Sequence, residues 1–154
     1  MTSTRLFTTI DALVALLGPA LSGSAQVIDG PPQDWNSLPG SALLLIGTQP
    51  SSDESGSSQI DWAALGAKTY DEELQIICTV YTTSGVNKVK TQRDLAASIL
   101  STVQEKLRTD PSIGGAVLYS RLEGVSQFSQ SWYEQGTRCT LVFTIAARAY
   151  LEAV

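Results

Sequence analysis

The chain has 154 residues, ten basic and fifteen acidic, with a formal net charge of −5 and no histidine. That length suits one domain, which buries about 68–70% of its unfolded surface without disulfide staples. The missing histidine excludes Ser-His-Asp and Cys-His chemistry and His-ligated metals, and the acidic balance argues against non-specific nucleic-acid binding, which needs clustered Lys and Arg.

Leu6, Ile10, Leu13, Val14 and Leu17 recur at helical spacing, which predicts an amphipathic helix over about residues 4–17. Gly18-Pro19 is expected to end it. Arg5, the apolar run 12–17 and Gly23-Ser24-Ala25 loosely resemble a secretory signal, but Asp11 interrupts the apolar region and the helical reading is preferred. No run approaches the ~20 apolar residues of a membrane span. Val27-Ile28 begins a short strand, and the stretch from Gly30-Pro31-Pro32 to Pro39-Gly40 is rich in turn residues. The continuous apolar run Ala42-Leu43-Leu44-Leu45-Ile46-Gly47 fits a central strand buried on both faces.

Residues 48–67 are polar and lack periodicity, which reads as a mobile polar loop inside the domain. A loop this long is usually functional or disordered. Within it, Asp53, Glu54 and Trp62 are the candidate partner contacts. Trp62 is costly to leave in water, so it either packs back on the core or docks on a partner.

Residues 69–83 alternate as a long strand, with Leu74, Ile76, Cys78 and Val80 on one face and Gln75, Ile77, Thr79 and Tyr81 on the other. Leu95, Ile99, Val103 and Leu107 predict a second helix over about 88–109, stopped by Asp110-Pro111. Gly114-Gly115 opens a strand at about 116–128, in which Gly124 marks a bulge or bend. After a turn near 130–135, residues 137–150 alternate again, and the last two strands form a long antiparallel hairpin.

The expected fold is therefore α+β: a mainly antiparallel sheet of four to five strands with long hairpins, flanked on one face by two helices, in one domain over 1–154. Three strands of about 13–15 residues exceed the usual ~5–6 and reach roughly 40 Å. Ile77, Tyr81, Val142 and Tyr150 make the second face partly apolar. Both features favour a partner subunit.

The charge is uneven: residues 1–80 carry a net −7 and residues 81–154 a net +2. This reflects either chance and solvated faces, or acidic and basic surfaces suited to side-by-side packing. Cys78 and Cys139 form no CxxC pair and read as small buried hydrophobes. No phosphate-loop, dinucleotide, nucleophile-elbow or zinc-protease motif occurs. Asp71-Glu72-Glu73 is the densest acidic cluster, but alternation sends Glu72 to the face opposite Asp71 and Glu73, too divergent for a metal cage. Lys88, Lys90 and Arg93 cluster at the start of the second helix, where an anion patch is one reading, but that end of the helix disfavours cations and they read as solvated or as inter-subunit partners. No enzyme, cofactor or metal is expected.

The helix Val89–Thr109, the loop Asp110-Pro111-Ser112-Ile113-Gly114-Gly115-Ala116-Val117, and the strand Gly136-Thr137-Arg138-Cys139-Thr140-Leu141-Val142-Phe143-Thr144-Ile145 together resemble the tail terminator proteins of long-tailed phages, especially actinobacteriophages. The resemblance covers about residues 4–150, and the helix, DP-x-x-GG loop and long hairpin are its most telling part; the polar insert 48–67 is least family-like. It implies a hexameric ring that caps the last tail-tube ring, stops tube growth, and meets the head-side connector or stopper protein while DNA passes through the lumen. It places the protein in the virion, at the head–tail interface, after assembly in the host cytoplasm, and without membrane contact. A negative lumen would let DNA slide unbound. Asp71, Glu72 and Glu73 are then the candidate lumen-facing acids, and the 48–67 loop the tube- or connector-facing contact. The alternatives are another neck or tail structural protein, of head-closure or tail-tube type, or a small soluble α+β binding module or unrecognised enzyme.

Overall fold

The computed structural model describes residues 3–62, 69–85, 89–133 and 136–152. In chain order these form α1 (Leu6–Ala20), β1 (Gln26–Asp29), β2 (Ala42–Ile46), β3 (Gly56–Trp62), β4 (Thr69–Ser84), α2 (Val89–Thr109), β5 (Tyr119–Tyr133) and β6 (Gly136–Glu152).

The three long alternating segments set the architecture. β4 and β6 pair antiparallel over their full lengths, from Thr69 opposite Glu152 to Ser84 opposite Thr137. β5 pairs antiparallel with the other side of β6. The short strands β2 and β3 share the remaining side of β4, β2 against Cys78–Thr82 and β3 against Tyr70–Ile76. β1 adds to β2 in parallel. The six-stranded sheet thus runs β1-β2-β4-β6-β5, with β3 also on β4. It is α+β and mostly antiparallel.

Alternation decides which face is buried. Leu74, Ile76, Cys78 and Val80 of β4 lie beside Cys139, Leu141, Phe143 and Ile145 of β6, and Leu44 and Ile46 of β2 join them. Leu13 and Leu17 of α1 and Ala96, Ile99, Val103 and Leu107 of α2 cover this face, so both helices lie on one side. Burying each such Leu or Ile contributes about 1.5–3 kcal/mol.

Three local features fix the ends of elements. α1 runs on past Gly18-Pro19 to Ala20, with Pro19 inside its last turn. There the proline removes only one backbone donor, and Gly18 has no Cβ to clash with the ring. The helix then closes through the Leu21 N–H to the Leu17 carbonyl, 3.0 Å. After α2, Asp110 organises the turn: its carboxylate accepts from Ser112 Oγ at 3.0 Å and from the Gly114 N–H at 2.9 Å. Ile113, Gly114 and Gly115 all have positive φ, and two glycines bear most of this left-handed path while the Ile113 side chain is buried. Gly136 opens β6 at φ +138, where a Cβ would stand 1.9 Å from the Ser84 carbonyl oxygen.

The structure departs from the sequence expectations in several places. Residues 56–62 are a strand, not part of one continuous loop, because their backbone groups pair with β4 although their side chains are nearly all exposed. This brings the sheet to six strands rather than four to five. Residues 63–67 of the expected loop, Lys88, and residues 134–135 of the expected turn lie outside the described residues. β5 starts at Tyr119 rather than near 116, since the Asp110 turn continues through 116. The expected irregularity at Gly124 is a β-bulge, with register shifts between Leu122 and Gln127.

Candidate functional site

The end of the sheet where β3 meets β4 gathers most of the residues singled out in the sequence. Asp71, Glu72 and Glu73 lie on β4, and the pleat separates them as expected: Asp71 and Glu73 point away from the helices, Glu72 toward them.

Glu72 is completely buried within the chain. Its Oε1 accepts the Arg5 N–H at 2.7 Å, just before α1, and its Oε2 accepts both Thr4 Oγ1 and Ser58 Oγ. A buried carboxylate is costly unless hydrogen-bonded, and three donors meet that need. They also place a negative charge at the positive end of α1. Glu72 therefore ties α1 and β3 to β4 and faces no solvent, which removes it from the lumen-facing acids. Asp71 is bound by Arg148 of β6, whose Nε donates to Oδ1 at 2.7 Å and whose Nη2 reaches Oδ2. The Arg148 guanidinium holds the Asp71 carboxyl below the usual carboxylate range, and Arg148 is raised in turn, chiefly by Asp71 and then by Tyr119. Only Glu73 of the three acids is exposed.

Asp53 and Glu54 are exposed in the connection between β2 and β3. Trp62 is 61% exposed, and its ring sits 4.3 Å from that of Tyr70, its directly opposite neighbour on β4. It packs on a strand neighbour rather than on the core. The structure does not bring Asp53, Glu54 and Trp62 together: the connection lies at the Gly56 end of β3, and Trp62 at the other.

The face of the sheet away from the helices is partly covered. Thr79 Oγ1 donates to the Thr48 carbonyl at 2.8 Å, and Ser51 Oγ to Gln127 Oε1 of β5 at 3.3 Å. Under this cover a polar groove of about 340 Å³ is lined by Trp35, Tyr81, Gln127, Ser129 and Arg138 among others. Among the described residues no cluster of His, Cys, Asp and Glu is built to hold a metal ion, and no helix is long and apolar enough to cross a membrane.

One surface was missed by the sequence reading. Val125, Phe128 and Trp132 of β5 are all substantially exposed, Trp132 by 62%. They oppose Phe143, Leu141 and Thr137, so they lie on the helix side of the sheet at its β5 edge. A second register shift, between Val125 and Gln127, breaks strict alternation, so their spacing hid a common face.

No protein-family model matches the chain, and no curated protein does. Among solved structures, the fold is similar to that of a chain in the virion of a native gene transfer agent (GTA) particle. The TM-score is 0.51 at 10% sequence identity, over 92% of this chain and 94% of that one. At that identity the likeness is one of fold.

Proposed function

We propose that the chain is a structural protein of a phage-like virion and, more narrowly, that it acts as a tail terminator. In this reading copies form a hexameric ring that caps the tail tube, ends its polymerisation and joins it to the head-side connector, with DNA passing through the lumen. The observation that carries the reading is the fold likeness to a chain of a gene transfer agent virion, which extends over nearly the whole length of both chains. The helix, DP-x-x-GG loop and long hairpin of the tail-terminator resemblance add to it, as do strands of 15 to 17 residues. Of the three acids, Glu73 and the Arg148-paired Asp71 remain the lumen-facing candidates, and Asp53, Glu54 and Trp62 stay the candidates for contact with tube or connector.

The decisive experiment mixes this chain with the tail-tube protein encoded in the same genome and follows tube growth by electron microscopy. Tubes should stop growing and carry a ring at one end, with light scattering giving the mass of the ring. A strict monomer that leaves tube growth unchanged and saturably binds a small ligand overturns the reading and favours the binding module.

A further inference from the structure

Two strands leave a long hydrogen-bonding edge open among the described residues. β5 is bonded only to β6, and β3 only to β4. β1 is also an edge but has only four residues. Proteins usually shield long edges with charge, proline or a covering segment, because an open edge is a template for another strand. Here both long edges carry exposed apolar side chains: Val125, Phe128 and Trp132 on β5, Ile60 and Trp62 on β3.

The two edges match each other in three respects. The first is direction. β3 runs antiparallel to β4, β4 to β6, and β6 to β5, so β5 and β3 point opposite ways. A sheet continued from one copy into the next in the same orientation lays β3 beside β5 as an antiparallel pair. The second is face. Ile60 and Trp62 oppose Glu72 and Tyr70, on the helix side of the sheet, the same side as the β5 apolar residues. The third is charge. On the other side, exposed Asp61 on β3 and Arg121 on β5 have opposite signs. Arg121 stands level with Gln75 through Ala146, and Asp61 with Asp71. An offset of four residues therefore sets Arg121 opposite Asp61 and Leu122 opposite Ile60. Being even, it keeps every side chain on its own face.

We propose that the β5 edge of one copy receives the β3 edge of a second copy of this chain, extending the sheet antiparallel from subunit to subunit. The two edges are unlike, so the contact is heterologous and passes around a closed ring. This rests on the ring reading above and names the surfaces that build it.

The test uses two full-length variants, Val125→Lys/Phe128→Lys to block the β5 edge, where the offset sets these residues opposite Ser58 and Gly56, and Ile60→Lys/Trp62→Lys to block the β3 edge. Far-UV circular dichroism confirms that each is folded, and light scattering after size exclusion gives masses, alone and with tail-tube protein. Each variant should be a monomer where the wild type is a ring. Mixed in equal amounts they should give a dimer and nothing larger, since only one live edge remains on each. Folded variants that keep the wild-type ring mass overturn the edge pairing and leave the ring standing, and a mixture that stays monomeric or grows past a dimer overturns it as well. A wild-type chain that is monomeric under all these conditions overturns both. Should an edge variant not fold, the surface pair decides: Arg121→Asp and Asp61→Arg should each weaken assembly at least tenfold, and the double variant should recover most of the loss. Single changes without effect, or a double that is no better than either single, sink the pairing.

Discussion

Cys78 and Cys139 stand on the buried face of the sheet, and burial pushes the Cys78 thiol up to about 12 and raises that of Cys139. The thiolate is the reactive form, so both should resist alkylation in the folded chain at pH 8 and react promptly in denaturant. Mass spectrometry after iodoacetamide treatment reads this directly; rapid native labelling of either would contradict their burial. Asp71 behaves differently because Arg148 holds its carboxyl low. An ordinary Asp titrates at about 3.9, so the pair contributes fully above that pH and loses its contribution as pH falls through the lower folded value. The urea midpoints of wild type and Asp71→Asn should therefore be furthest apart near pH 6 and begin to draw together as pH falls below about 3.9. A gap independent of pH would show that the carboxylate charge adds nothing. At this scale the sequence was half legible. Alternation correctly sent Glu72 to the face opposite Asp71 and Glu73. It could not reveal that Thr4, Arg5 and Ser58 wait there, because those donors come from distant parts of the chain.

Elements were legible where one face is buried. α2, β4 and β6 show clean periods because half of each packs on the core. β3 was not, because GSSQIDW is exposed on both faces and its backbone alone makes the ladder. No side-chain period records a strand held that way. Its anchorage runs through Glu72. Glu72→Ala leaves Thr4, Arg5 N–H and Ser58 without their acceptor and should cost about 1–3 kcal/mol. Hydrogen exchange should quicken first in β3 and the start of α1, and equal quickening everywhere would show that Glu72 is no local tie. In the centre of the sheet, Phe143 is fully buried among residues of both helices and the neighbouring strands. Phe143→Ala should cost about 3–5 kcal/mol, read as a lower urea midpoint with little change in slope.

At the scale of the whole molecule, charge and edges matter more than any pocket. The chain is acidic overall, at −5, and several of its basic residues are paired, as Arg148 is with Asp71, Arg108 with Glu105 and Lys90 with Asp94. Duplex DNA should therefore run unretarded past the purified protein at about 0.15 M salt. Salt-sensitive retardation would point instead to a basic surface created by assembly. The strand lengths that suggested a partner were readable in the sequence, but the two long open edges among the described residues were not, since an edge is defined by which strand lacks a neighbour in space. The position of β6 carries one more consequence. Among the described residues it alone of the long strands is bonded along its length on both sides by other long strands, yet it follows them all in the chain, and Thr69 meets Glu152 across more than half of the sequence. On the ribosome, β4 must wait for one neighbour, and β5 for the strand it pairs with, until β6 has emerged. Closing such distant pairings is slow. The helices and short strands are thus made before the sheet that organises them, and in the ring proposed above neither the β3 nor the β5 edge is set until β6 has joined β4 to β5.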